Sequence, residues 1–318
     1  MFSFIKRKLL YRFVIVYLYE SKVWIHTYDT KNYKVLNSET EEFENEDEQT
    51  LSQNIVDYIN KLQQQYTRSY VVTLLNSQGQ GIIPTCDSSK FSDYNIDKRY
   101  IYNICVDNLF TNFASKIEIK FLQKLFSNTG IDLIFSPFTM LKNLSIDDLN
   151  SDEVKLHILY TSSNATLLIT KEGKYIFGSF FKTIEERDPL YTDYEENEDE
   201  EDEFEIEDEF EFEEDDLDFE YSEDEDLASD DVELDYKQEL ELIQTNKLFA
   251  HNLNSILKEF YSKPIYEGNF IDTVKIYSEE KIEDSIIEYI ENELFLSVKV
   301  NKIDFDKELL NLIYKELL

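Results

Sequence analysis

The chain has 318 residues and carries 31 Lys plus Arg against 68 Asp plus Glu, a formal charge of -37. It contains only 6 Gly beside 22 Tyr and 23 Phe, which argues against the glycine-built turns that nucleotide-dependent enzymes wrap around phosphate. The length allows one large or two medium domains.

The charge is not spread evenly. Residues 188–235 hold 29 acidic side chains and no Lys or Arg, leaving 39 acidic against 31 basic residues elsewhere. An ordinary aromatic-rich chain therefore carries one acidic insertion, expected to be solvated and disordered. Cys86 and Cys105 are the only cysteines, and there is no CxxC or His/Cys cluster. That pattern speaks against a disulfide framework, a zinc site or any other metal. No cleavable signal peptide is visible. The longest apolar run, Leu9 to Tyr19, is interrupted by Arg12 and falls short of a membrane span of about 20 residues. A reducing, cytoplasmic setting is the expectation. Excess negative charge repels phosphate, so no nucleic-acid partner is expected.

In chain order, FVIVYL (13–18) and VWIHTY (23–28) read as a buried hairpin around the turn YESK, with a third strand over 34–43. Thr50 is placed to cap a helix with Leu51, Ile55, Ile59, Leu62 and Tyr66 on one face. Residues 70–75 read as strand, 78–84 as loop and 100–107 as strand. A helix is expected over 116–128 with Ile117, Phe121, Leu122 and Leu125 inward, and Gly130 stands where a left-handed cap is wanted. A short strand (131–135) and a helix opened by Ser136-Pro137 follow. Three strands over 156–160, 165–170 and 175–181 repeat the opening theme. A helix over 236–261 aligns Leu242, Phe249, Leu253, Ile256 and Phe260. Then come a strand (273–277), a helix marked by Ile282, Ile286, Ile290 and Leu294, a strand (296–300) and a closing helix (309–317). Strand and helix alternation argues α/β, and two halves with the same order suggest an internal duplication.

Three stretches carry a resemblance: MFSFIKRKLLYRF running into VIVYLYESKVWIHTY; FLQKLFSNTGIDLIFSPFTML followed by ILYTSSNATLLITKEGKYIFGSFF; and TVKIYSEEKIEDSIIEYIENELFLSVKV. In this order they resemble the actin-like ATPase superfamily, and more closely the PilM-type pilus-assembly proteins and the cytoplasmic domain of type II secretion L proteins. The resemblance implies a two-lobed actin-like (ribonuclease H-like) fold. Its first lobe spans 1–150 and its second 151–318, the latter interrupted by the acidic insertion at 188–235. Because the sequence ends at Leu318, the free-standing PilM type is the closer likeness.

The departures from the family pattern bear on chemistry. Tyr17 and Tyr19 fall where the resemblance places an Asp and a Gly of the first phosphate turn. Leu159 and Thr161 take those places in the second turn, followed by Ser162 and Ser163. Glu279 and Glu280 stand where the adenine-site motif has glycines. Loss of Asp removes the group that orients metal-bound water, and bulky Tyr blocks backbone approach to phosphate. Two like charges about 4 Å apart repel by about 4 kcal/mol at an effective dielectric near 20. No catalytic residue, cofactor or metal is expected.

Other candidates have bland readings. His26, His157 and His251 lack metal-spaced neighbours and read as structural histidines. Cys105 reads as strand core. Gly79-Gln80-Gly81 lacks a following helix N-terminus and reads as a flexible loop. Ser162, Ser163, Asn164 and Thr166 could hold an anion, though a polar hairpin turn is the simpler reading. Two readings stand for Lys6, Arg7, Lys8 and Arg12 among Phe2, Phe4 and Ile5: contact with acidic lipid, worth about 1 kcal/mol per cation, or a solvated lead-in. Two also stand for the insertion with its Phe204, Phe210, Phe212, Phe219 and Tyr221: a linker or a partner-binding segment.

The expected function is a non-catalytic scaffold of a type IV pilus, type II secretion or DNA-uptake platform at the inner face of the membrane. It would bind an inner-membrane subunit tail and the motor ATPase. The alternatives are a divergent actin-like ATPase, and an acidic protein that captures a basic partner.

Overall fold

The computed structural model describes residues 10–317 apart from 20, 46, 48 and 184–229, with backbone alone over 230–241. The expectations for the N-terminal cations Lys6 to Lys8 and for most of the acidic insertion lie outside the described residues. Residues 1–184 and 245–318 form one unit, and 185–244 a second.

The first lobe is built on a five-stranded sheet. Strands β1 (Tyr11–Tyr19), β2 (Lys22–Lys31) and β3 (Lys34–Glu44) form an antiparallel meander. After helix α1 (Gln53–Gln64), β4 (Ser69–Leu74) returns parallel to β1, and β8 (Leu133–Phe135) pairs parallel to β4, giving the order β3-β2-β1-β4-β8. Alternation along β1 explains how one strand serves two cores. Val14 and Val16 pack with Ile55, Ile59 and Leu122, whereas Phe13, Ile15 and Tyr17 point the other way.

The second lobe repeats this plan. Strands β9 (Lys155–Tyr160), β10 (Asn164–Lys171), β11 (Lys174–Lys182), β12 (Thr273–Ser278) and β13 (Ser297–Lys302) stand in the order β11-β10-β9-β12-β13. The pairings again run antiparallel through the meander and parallel beyond it. The expected internal duplication is therefore present in the topology, and the architecture is the two-lobed actin-like one. Helix α4 (Asp230–Ser262) contributes Phe249, Leu253, Leu257 and Phe260 to the core of this lobe, and the short helix α5 (Asp284–Glu288) adds Ile286.

Two helices sit between the sheets. These are α3 (Pro137–Ser145), capped by Ser136 and started by proline at its first turn, and α6 (Phe305–Leu317). Phe138, Met140 and Leu141 of α3, with Leu309, Leu310, Leu312 and Ile313 of α6, pack against Phe13, Ile15 and Val72 of the first sheet and Leu159, Leu168, Tyr175 and Tyr277 of the second. Each such large side chain contributes about 1.5–3 kcal/mol on burial, so this shared core fastens the lobes together.

A third sheet departs from the sequence reading in two of its three strands; the strand expected over 100–107 is present as the third. Strands β5 (Gln80–Ile83), β6 (Ile101–Val106) and β7 (Phe110–Ser115) pair in the order β5-β7-β6. The expected loop over 78–84 is thus partly strand. Gly81 serves close packing, since a Cβ there would meet the Phe113 ring at 2.7 Å. The expectation of no disulfide is also overturned: Cys86 and Cys105 are bonded, with Cα atoms 5.3 Å apart, and Cys105 is exposed on β6 rather than in the core. On helix α2 (Lys116–Leu125) only Leu122 and Leu125 are buried, and Ile117 and Phe121 face outward. Helix α1 begins after Ser52, two residues later than expected from Thr50. Gly130 does adopt a left-handed conformation, at φ 75°. Arg12, offered as a lipid contact, is instead buried against Asp29, with Nε donating at 2.7 Å and Nη2 at 2.8 Å.

Candidate functional site: the cleft between the lobes

The cleft is framed by three chain reversals at the carboxyl ends of the central strands: the β1–β2 turn, the β9–β10 turn and the segment after β12. Tyr17 closes the inward face of β1, and its hydroxyl donates to Asp306 Oδ1 at 2.6 Å. Asp306 lies in the first turn of α6. Its other oxygen accepts from Tyr28 Oη at 2.5 Å and pairs with His26 Nδ1 at 2.5 Å, both from β2. A carboxylate accepts only, so His26 carries its proton on Nδ1; His26 Nε2 is then buried without a hydrogen-bond partner. Burial alone would raise the Asp306 pKa, but hydrogen bonds from His26, Tyr17 and Tyr28 hold it below the usual carboxylate range. Burial, with Asp306 as the next cause, pushes the Tyr17 and Tyr28 hydroxyls upward, so both stay donors.

Aromatic rings complete this wall. Tyr17 meets His26 edge-on at 5.2 Å and Phe305 at 6.1 Å, and Tyr19 meets Trp24 at 6.4 Å. The structure therefore brings Tyr17 and Tyr19 together, with ring centroids 6.4 Å apart. It also brings Glu279 and Glu280 to the same cleft. Tyr19 is pushed up to about 12 by burial and then by Glu280, Asp306 and Glu279. Tyr160 is pushed up to about 12 by burial, then Glu280 and Glu283. Glu280 thus acts on tyrosines of both lobes. The Glu279 pKa is raised by partial desolvation and by the neighbouring Asp306 and Asp304, although the Phe305 backbone N–H counteracts this.

The second turn behaves differently. Leu159 is buried in the core shared by the lobes and offers no polar group. Thr161, Ser162 and Ser163 form a tight polar turn: Thr161 N–H donates to the Asn164 carbonyl at 2.9 Å, and Asn164 N–H to Thr161 Oγ1 at 3.1 Å. The carbonyls of Ser162 and Ser163 accept from Thr183. The turn's carbonyls are thus taken by Thr183, just after β11, and by Thr161, and Asn164 Nδ2 donates across to Asn76 Oδ1 of the first lobe at 3.2 Å. Thr166 is fully buried in β10 and does not join the turn.

The sequence reading found Tyr17, Tyr19, Glu279 and Glu280 but missed His26, Tyr28, Phe305 and Asp306. The available signal was the row Tyr17, His26 and Tyr28, polar-tipped rings on one face of a buried hairpin, which calls for a polar partner. His157 is a structural histidine as expected. It is fully buried, with Nε2 3.0 Å from Thr170 Oγ1, and burial pushes it down to about 4. Among the described residues no group of His, Cys, Asp and Glu is arranged to hold a metal ion.

A family model described as a domain of unknown function, DUF8341, matches residues 156–318. The chain belongs to the DUF8341 family. A second model of the same description, DUF8569, matches 11–142, so the two together meet near the junction of the lobes. No curated protein matches the DUF8341 chain. Among solved structures it is similar to a Bacteroides thetaiotaomicron protein with an actin-like ATPase fold and unknown function. Identity is 11% over 98% of this chain and 99% of that one, with a TM-score of 0.53, which shows the actin-like fold. It is also similar to the PilM-PilN type IV pilus biogenesis complex, at 10% identity over 95% and 94% of the two chains with a TM-score of 0.49. The Spiroplasma citri MreB 5 bound to AMPPNP matches at 9% identity over 96% of each chain, TM-score 0.45.

Proposed function

We propose that this DUF8341 protein is a non-catalytic actin-fold docking protein that works by binding and not by phosphoryl chemistry. The observation that carries the reading is the Asp306 latch: one carboxylate holds Tyr17, His26 and Tyr28 at the mouth where the sequence resemblance would place a nucleotide. The latch fills that mouth with rings, and Glu279, Glu280, Asp304 and Asp306 give it negative charge. A triphosphate entering there would meet like charges at low effective dielectric, without the glycine turns that supply backbone donors. Glu279, Glu280 and the Tyr pair occupy the places where the sequence resemblance expects those turns.

The sequence resemblance to PilM-type and secretion-L cytoplasmic proteins supports a finer reading. The protein then serves as a scaffold on the inner face of the membrane in a type IV pilus, type II secretion or DNA-uptake platform. It holds the cytoplasmic tail of an inner-membrane subunit and contacts the motor ATPase. Among the described residues no helix is long and apolar enough to cross a membrane, so attachment would come through such a partner or through the N-terminal cations.

The test is equilibrium binding of synthetic tails from inner-membrane subunits encoded beside this chain, with and without Mg-ATP. The reading expects one tail to bind with an affinity unchanged by nucleotide. Tail binding that requires or is abolished by Mg-ATP supports the divergent-ATPase alternative and overturns this reading.

A further inference from the structure

The strands at the sheet edges differ in chemistry. Charges stand along β3 (Glu39, Glu41, Glu42 and Glu44), β11 (Lys174 and Lys182) and β13 (Lys299 and Lys302), of the kind that blunt unwanted strand pairing. The edge strand β8 spans only three residues, at 3 res, and β5 is buried. The edge strand β6, IYNICV, carries no charged residue and is exposed from Tyr102 to Cys105. Among the described residues it pairs only with β7. Its outer side is an unblunted template for another strand.

Register fixes which backbone groups are free. Lys116 N–H donates to the Tyr100 carbonyl at 2.9 Å, while Ser115 N–H turns away to the Gly79 carbonyl at 2.7 Å. Hydrogen-bonded pairs alternate along an antiparallel ladder. Tyr102, Ile104 and Val106 therefore spend their backbone groups on β7, and Ile101, Asn103 and Cys105 turn theirs to the open edge. An antiparallel neighbour satisfies them when its own outward residues stand opposite. A second copy of β6, turned about a twofold axis at Asn103, does so: Asn103 faces Asn103, and Ile101 faces Cys105. The same rotation sets Tyr102 against Ile104 and Tyr100 against Val106, reciprocally and on one face. Aromatic and β-branched residues make favourable cross-strand pairs. The opposite face is already covered, since Ile101 packs with Ile83 and Phe91. Tyr100, Tyr102 and Ile104 are 67%, 48% and 72% exposed, and Ile117 beside Lys116 is 80% exposed. At about 200 Å² for a whole large side chain, they offer about 500 Å² on each copy and about 1,000 Å² in a pair, the lower limit of a specific interface.

We infer that the protein self-associates through β6, two copies joining their third sheets edge to edge about a twofold axis at Asn103. The contact is isologous, so it closes at a dimer. Charge weakens it. Lys116 Nζ lies 5.7 Å from the Tyr102 ring centre, so each copy brings a cation to the paired row, and each whole chain carries -37. Both oppose association, and a small interface between like charges gives a micromolar dimer that salt strengthens. The inference stands apart from the cleft and from the docking role proposed above.

Sedimentation velocity of the full chain from about 1 to about 200 μM should show monomer passing to dimer with a micromolar dissociation constant. Asn103→Pro removes an N–H that faces the open edge, a change that edge strands accept. It should weaken the dimer by about tenfold or more, while the thermal midpoint, read where the parent is monomeric, stays near the parent's. Ile104→Lys adds a cation at an exposed position and should weaken it as much, so the test stands even where the proline variant folds poorly. The control Val35→Lys/Leu36→Lys on β3 should dimerise as the parent does. A photoreactive phenylalanine analogue at position 102 should capture residues 101–106 of a second copy. That capture, with a mass that rises with concentration, supports the inference. A monomer throughout the range overturns it, as does a dimer that Ile104→Lys leaves unchanged. A dimer that added salt dissociates also overturns it, because attraction between opposite charges would then hold the copies together.

Discussion

Replacing Asp306 by Ala removes the acceptor of three hydrogen bonds, at 2.6, 2.5 and 2.5 Å. A hydrogen bond to a charged group contributes about 1.5–3 kcal/mol, but three donors sharing one carboxylate are not additive. The loss also strands the Tyr17 hydroxyl and the His26 ring, and breaking a partly buried charge-assisted cluster costs about 3–5 kcal/mol. Asp306 keeps some solvent contact, its side chain being 19% exposed, so the lower half of that range applies, about 3–4 kcal/mol. With a urea m-value near 3 kcal/mol/M for a domain of this size, the unfolding midpoint should fall by about 1 M. The assay is urea unfolding followed by tyrosine fluorescence and far-ultraviolet circular dichroism, with coincidence of the two curves checked first. Asp306→Asn keeps one acceptor and should lose about half as much. Tyr17→Phe in the Asp306→Ala background should add little beyond its single loss, because the bond it made is already gone. A midpoint for Asp306→Ala within about 0.2 M of the parent, on the same m-value, would refute the claim that this carboxylate fastens α6 to the first lobe.

Three further outcomes follow from the structure. His157 is fully buried and held down to about 4, so the unfolded chain binds a proton there that the folded chain does not. Stability should therefore drop as pH falls from about 6.5 toward 4, by about 1.4 kcal/mol per unit, and His157→Gln should flatten that slope in pH-dependent urea titrations. The Cys86–Cys105 bond closes a loop of 19 residues, so a Cys86→Ser/Cys105→Ser variant should lose about 3 kcal/mol by the loop-entropy relation, read as faster proteolysis within 80–115. At Gly178 an added Cβ would meet Ile82 Cγ1 at 2.7 Å and Leu168 Cδ2 at 2.9 Å. Gly178→Ala should cost about 1–3 kcal/mol by overpacking where β5 rests on β11, measured as a lowered thermal midpoint.

Much of the architecture was legible because it rests on local patterns. The runs FVIVYL, HILY and ATLLIT place β-branched and aromatic residues where a buried strand needs them, and Ser136-Pro137 and Gly130 mark helix ends by backbone chemistry. Two strands of the third sheet, β5 and β7, were hidden for the same reason in reverse. Gln80 to Ile83 begins beside two glycines, and Phe110 to Ser115 is diluted by Thr, Asn and Ser, so neither carries a strong strand pattern. Ile117 and Phe121 share the helical spacing of a core face, yet only Leu122 and Leu125 find a core to enter, because the sheet behind α2 covers one side alone. In the cleft, Tyr17, Tyr19, Glu279 and Glu280 stood out as departures from a known pattern. Asp306 did not. It is 289 residues from Tyr17, in a turn of ordinary acidic composition, and only the packing of α6 between the sheets brings it to β1 and β2.

The central claim is that the inter-lobe cleft has given up nucleotide for a latch of rings and carboxylates. Calorimetric titration of the full chain with Mg-ATP tests it most directly. The account predicts no saturable binding up to millimolar nucleotide in the parent. Micromolar binding, lost when the turn from Thr161 to Asn164 is altered, would contradict it.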